Sequence, residues 1–139
     1  MNRILLSLGI LLTIALSSCD SNEHNTDTTS DKITLNDGKL WLVNEEMKPH
    51  IEIAEDMVKI YLEDGDTDYQ GLGERLDHQN KELISSCTME GESHEQLHHW
   101  LHPHLELTSN LIAAKNDEEA NKAIAELKAS FEMYHQYFE

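Results

Sequence analysis

The sequence predicts an all-α protein, folded as an up-down-up-down antiparallel four-helix bundle. Three observations lead there. Apolar residues recur at steps of three and four in four separate segments, the pattern of a helix with one buried face. Each segment is about twenty residues long, roughly 30 Å as a helix, so the four match in length. The breaks between them are short, and short breaks make sequence neighbours antiparallel. Strand-like alternation is missing apart from a short piece at Ile33-Thr34-Leu35.

Ahead of the bundle, residues 1–18 read as a lipoprotein signal peptide. Arg3 gives a positive start, and Ile4 to Leu16 is an apolar run too short for a comfortable membrane span. The Leu16-Ser17-Ser18-Cys19 end resembles a bacterial lipobox, which implies cleavage before Cys19 and a lipid on its sulfur. An ordinary signal peptide cleaved nearby is the plainer alternative. Residues 19–40 then form a flexible tether, rich in Ser, Thr, Asn and Asp, with a turn at Asn36-Asp37-Gly38. The bundle occupies residues 41–139, with Trp41 packing against its end.

The first helix starts near Asn44, a good N-cap, and runs to about Glu63, with Met47, Ile51, Ala54, Val58 and Tyr61 on one face. Pro49 lies just inside its start and shifts the boundary or tilts the first turn. The second helix spans about Asp68 to Met89, with Tyr69, Leu72, Leu76, Leu83 and Cys87 inward and Gly71 and Gly73 weakening its first turn. Gly91 breaks the chain. Ser93 with Gln96 three residues on is a capping-box pattern, so a third helix begins there. Leu97, Leu101, His104, Thr108 and Leu111 share one line on it, and Pro103 in its interior predicts a kink. Asn116 and Glu119 form a second capping box. The fourth helix follows, with Ala120, Ile124, Leu127, Phe131, Tyr134 and Phe138 as its apolar face.

Charge narrows the function. The chain holds ten Lys and Arg against twenty-seven Asp and Glu, a net charge of −17 that loss of Arg3 takes to −18. Such a surface argues against nucleic acid and anionic lipid, and suits capture of cations or cationic partners. Once Cys19 is acylated, Cys87 is the remaining thiol, so no intramolecular disulfide forms. A lone thiol outside the cytoplasm calls for burial or a metal. Nothing supports an enzyme: there is no nucleophile–base arrangement, Gly-rich phosphate loop or zincin motif.

The stretch from Ser86 to His104 is unusual, with one thiol, one thioether and five imidazoles, all soft or borderline metal ligands. Antiparallel order brings the start of helix one, the end of helix two, the start of helix three and the end of helix four to one pole. There stand Met47 and His50, Cys87 and Met89, His94 and His98, and His135. The opposite pole has no such residues, which points to a metal centre; histidines at a solvated helix start are the plainer alternative. His94, His98 and His102 follow at i, i+4, i+8 and line one face. His104 falls on the core line, where a neutral histidine bonded to the backbone is expected. The Glu-x-x-His pairs of di-iron bundles are absent, as is the Cys-x-x-Cys-His of covalent haem.

In the last helix, Glu119-Ala120-Asn121-Lys122-Ala123-Ile124-Ala125-Glu126-Leu127-Lys128 leads into Met133-Tyr134-His135-Gln136-Tyr137. This resembles the last helix of cytochrome b562, a periplasmic four-helix family whose Tyr-His-Gln carries an axial haem histidine. Met47, within Asn44-Glu45-Glu46-Met47, stands where that family has its axial methionine. The resemblance implies non-covalent haem b held by Met47 and His135, walled by Leu42, Val43, Ile51, Phe131 and Phe138, with electron transfer as the role. It covers helix four and, more loosely, helix one. The family has no counterpart to Cys87-Thr88-Met89 or to the helix-three histidines.

A metal centre is therefore expected, with three functions in order. The first expectation is the haem b electron carrier. The alternative is a copper or zinc carrier or sensor using Cys87, Met89, His94 and His98, with Met47, His50 and His135 in reach. The third is a helical interaction module without a cofactor. In each, the protein sits in the bacterial cell envelope, lipid-anchored and facing the periplasm or the exterior. A redox or metal-transfer protein is the expected partner.

Overall fold

A computed structural model describes residues 32–139. The expected signal peptide, the lipid site at Cys19 and most of the tether lie outside the described residues. Four helices follow one another: α1 Lys48–Asp64, α2 Tyr69–Ser85, α3 Glu92–Ala113 and α4 Asp117–Tyr137. Each packs on the next, and α1 closes the ring on α4. This is the four-helix bundle. Among the described residues β-structure is limited to two isolated bridges.

Its core is built from the faces the periodicity marks. Met47, Ile51, Ala54 and Val58 meet Leu72, Leu76 and Leu83, then Leu97, Leu101 and Leu111, then Ile124, Leu127, Phe131 and Phe138, all buried. Burying each large side chain contributes about 1.5–3 kcal/mol, which is what fixes the rotation of each helix about its axis.

The helix starts follow partners more than propensity. Asp68 caps α2, its Oδ1 accepting from the Gly71 N–H at 3.0 Å. The Asn116–Glu119 box forms: Asn116 Oδ1 accepts from Glu119 N–H at 2.9 Å, and Glu119 reaches back to the N–H of Lys115 at 2.9 Å. The Lys115 N–H, with Asn116 Nδ2 donating to the other oxygen at 2.9 Å, holds the Glu119 carboxyl below its ordinary range. The box expected at Ser93 does not form. Gly91, at φ 68°, starts α3 two residues early, so Ser93 sits inside the helix, and Gln96 Oε1 instead accepts from the Thr34 N–H at 2.8 Å. Nor does Asn44 cap α1. With Pro49 in its first turn, α1 begins at Lys48, and Asn44 serves another purpose described below.

Helix α2 ends at Ser85, four residues before Met89. The hydroxyls of Ser85 and Ser86 bond the carbonyls of Glu82 and Leu83, each at 3.0 Å, a local alternative that closes the helix. Cys87, Thr88 and Met89 therefore lie in the non-helical connection to α3. Pro103 is accommodated inside α3, which remains one helix.

The packed chain begins before Trp41. Ile33 is buried, Asn36 and Lys39 close a tight turn, and the indole N–H of Trp41 donates to the Thr34 carbonyl. Residues 41–43 then run parallel to the C-terminal end. Trp41 N–H donates to Tyr137 O at 2.7 Å and Val43 N–H to Glu139 O at 2.9 Å. This pairing holds the segment leading to Met47 against the pole where α2 ends and α3 starts.

Candidate metal centre

Met47 is completely buried at the foot of α1. Cys87, half-buried in the connection between α2 and α3, and His94 and His98 in the first two turns of α3 face the same space. Together with His102 and apolar side chains including Ile84, Leu97 and Leu101, they line a cavity of about 180 Å³. The start of α1 thus brings a thioether to the α2–α3 corner, which supplies a thiol and imidazoles.

Asn44 braces this arrangement. Its Nδ2 donates to the Ser86 carbonyl at 3.1 Å, and its Oδ1 accepts from the Thr88 N–H at 3.2 Å. One side chain therefore grips the backbone on both sides of Cys87. Sequence reasoning missed this, because a good N-cap residue serves equally well as a tertiary clamp.

The histidine row runs along α3, with His94 edge-on to His98 and His98 tilted against His102. Ring centroids are 4.3 Å apart for His94 and His98, and 5.0 Å for His98 and His102. His98 is held below the ordinary imidazole range, first by burial and then by its neighbours His94, His102 and His99. It is thereby kept in the neutral form that binds metals. Among the described residues, no three His, Cys, Asp or Glu side chains converge tightly enough to hold an ion as they stand. These side chains line the cavity without forming a preassembled ion site.

The other expected ligands face elsewhere. Met89 is half-buried against the core and does not line the cavity. His50 Nδ1 lies 3.1 Å from Gln79 Oε1, across the α1–α2 seam. His135 is exposed on the α4–α1 seam, its Nε2 2.8 Å from Glu55 Oε2. It lines a separate cavity of about 380 Å³ with Lys48, Ile51 and Phe138. Met47 and His135 thus border different spaces. Of the expected haem walls, Val43, Ile51, Phe131 and Phe138 are buried, whereas Leu42 is 69 % exposed. The Met47 cavity is also smaller than the roughly 300–1,000 Å³ typical of pockets that enclose organic ligands.

A second buried polar group lies deeper in the bundle. His104 stacks on Trp100, with ring centroids 4.8 Å apart, and its Nδ1 is 2.9 Å from Ser130 Oγ. Its partner is thus a side chain on α4, where a backbone group was expected. Nε2 is buried without a hydrogen-bond partner, and burial pushes the imidazole down to about 4. His104 is a neutral core residue and lines neither of the cavities beside the α3 histidines.

Compared with known proteins, the chain matches no family model, no curated protein and no solved structure. Among the described residues no helix is long and apolar enough to cross a membrane.

Proposed function

We propose that this protein is an exported, lipid-anchored, non-enzymatic metal carrier or sensor that holds copper(I) with Met47, Cys87, His94 and His98. One observation carries the reading: Met47 of α1 joins Cys87, His94 and His98 from the α2–α3 corner, forty or more residues further along the chain, around a single cavity at one pole of the bundle. A thioether, a thiolate and imidazoles form a soft donor set that selects Cu(I) over harder cations, with Zn(II) as the nearest competitor. Burial of Met47 shields the ion from water, and Asn44 fixes the backbone that carries the thiol. The Cys19 anchor holds the protein in the cell envelope, where it exchanges metal with a protein partner. Its acidic surface does not suit nucleic acid.

The test is a Cu(I) titration of the purified full chain against a chromophoric chelator, with an absorption spectrum of protein isolated from its own host. A colourless protein that binds one Cu(I) and loses it on Cys87→Ser is the expected result. A Soret band that disappears in Met47→Ala and His135→Ala would overturn it in favour of haem b. Neither signal, with helical circular dichroism intact, would leave an interaction module.

A further inference from the structure

The histidine row extends beyond the inner cavity. On its solvent side, His98, His99, His102, Pro103 and Glu106 line a shallow space of about 280 Å³. His98 and His102 border both this space and the inner cavity, so these two imidazoles form the wall between them. They stand one helical turn apart on α3, where two histidines at i, i+4 can grip a single ion. Glu106 continues the same row and puts a carboxylate at its outer edge. Imidazole and carboxylate form a borderline-to-hard set, in contrast to the sulfur donors within.

We propose that His98 and His102, with Glu106, close by side-chain rotation into an outer chelate that takes up the incoming ion and passes it inward. The transfer rests on the copper(I) reading of the inner cavity; the chelate itself does not. Transfer is a ligand exchange. The bond from copper(I) to His102 breaks, a bond to Cys87 Sγ forms, the thiol proton leaves to solvent, and His98 stays attached. No electron moves and the ion keeps its oxidation state. The step runs toward sulfur because Cu(I) prefers thiolate and thioether to imidazole.

Two measurements on the full chain separate the parts. With the thiol removed by Cys87→Ser and the inner imidazole by His94→Gln, Zn(II) competition against a chromophoric chelator reads the outer pair. Adding His102→Gln then weakens Zn(II) by at least about tenfold, since even second-shell partners cost that much. Adding Glu106→Gln weakens it less. Zn(II) binding that is indifferent to His102→Gln would overturn the chelate. With Cys87 in place, stopped-flow uptake of Cu(I) reads transfer: His102→Gln slows uptake by a larger factor than it lowers equilibrium affinity. Uptake that falls only in step with affinity would overturn the transfer step. Wild-type Cu(I) affinity in Cys87→Ser would instead sink the inner-site reading, with transfer, and leave the Zn(II) result standing.

Discussion

At the residue scale, two buried side chains separate stability from binding. Met47 fills core volume and also lines the cavity. Met47→Leu keeps the volume, so chemical denaturation should show a loss of less than about 1.5 kcal/mol. Met47→Ala leaves a void and should cost about 2–5 kcal/mol. Both remove the thioether, so both should weaken Cu(I) binding by chelator competition, although only the second destabilises the fold. His104 has the opposite character, contributing to stability and not to the site. Burial holds it at about 4 against an ordinary 6.5. As pH falls below 6.5 the unfolded chain takes up a proton that the folded chain refuses, so stability is lost, and the loss levels off once the pH drops below about 4. The shift corresponds to about 3 kcal/mol across that window. Carboxylate protonation changes stability over the same range, so the measurement is a difference. With a chelator present to keep metal off the histidines, wild type should lose more stability between pH 6.5 and 4 than His104→Phe, which has no proton to take up.

At the element scale, the bundle was legible because each apolar face is continuous over several turns. Tyr61 and Leu127 fall inward for the same reason Ile51 and Phe131 do, and no single residue decides it. The ends were less legible, because they depend on partners far away in the chain. Asn44 was free to cap α1 on paper; in the fold its amide grips Ser86 and Thr88, more than forty residues on. Gln96 was free to complete a box with Ser93, and the Thr34 N–H claims it instead. The candidate site divides along the same line. Helix order alone brings Met47, Cys87, His94 and His98 to one pole. Which way a side chain points around that pole depends on the rotation of the whole helix. Tyr134 is locked inward on α4, so His135, one residue on, is turned out toward Glu55. The clamp at Asn44 gives this scale its prediction. Asn44→Ala removes two bonds to the connection and should cost about 1–2 kcal/mol in urea unfolding. It removes no metal donor, yet it should weaken Cu(I) binding, because Cys87 is then no longer held at the cavity wall. Unchanged affinity would mean that the connection is rigid without it.

At the scale of the whole molecule, one property acts on both folding and uptake. The chain carries twenty-seven acidic residues against ten Lys and Arg. Ion pairs such as Lys122–Glu126 at 3.9 Å and Lys128–Glu132 at 3.8 Å are exposed, and pairs of that kind contribute only about 0.3–0.5 kcal/mol each. The surplus negative charge is therefore the larger electrostatic effect, and it opposes compaction. Raising the salt from about 0.01 M to about 0.15 M shortens the screening length from about 30 Å to about 8 Å. This weakens long-range repulsion more than contacts at 3–4 Å, so calorimetry should record a rise in Tm. A gain of about 1 kcal/mol would appear as roughly 4–8 °C for a domain of this size. A fall in Tm would mean instead that the short pairs dominate. The same field draws cations toward the α3 face, where Glu95 and Glu106 flank the histidines. Screening should therefore slow metal association while it stabilises the fold, two opposite responses to a single change of salt. Stopped-flow uptake of Zn(II) by Cys87→Ser across that salt range should slow as Tm climbs. An uptake rate indifferent to salt would confine the acidic surplus to a role in solvation, with no part in steering the ion.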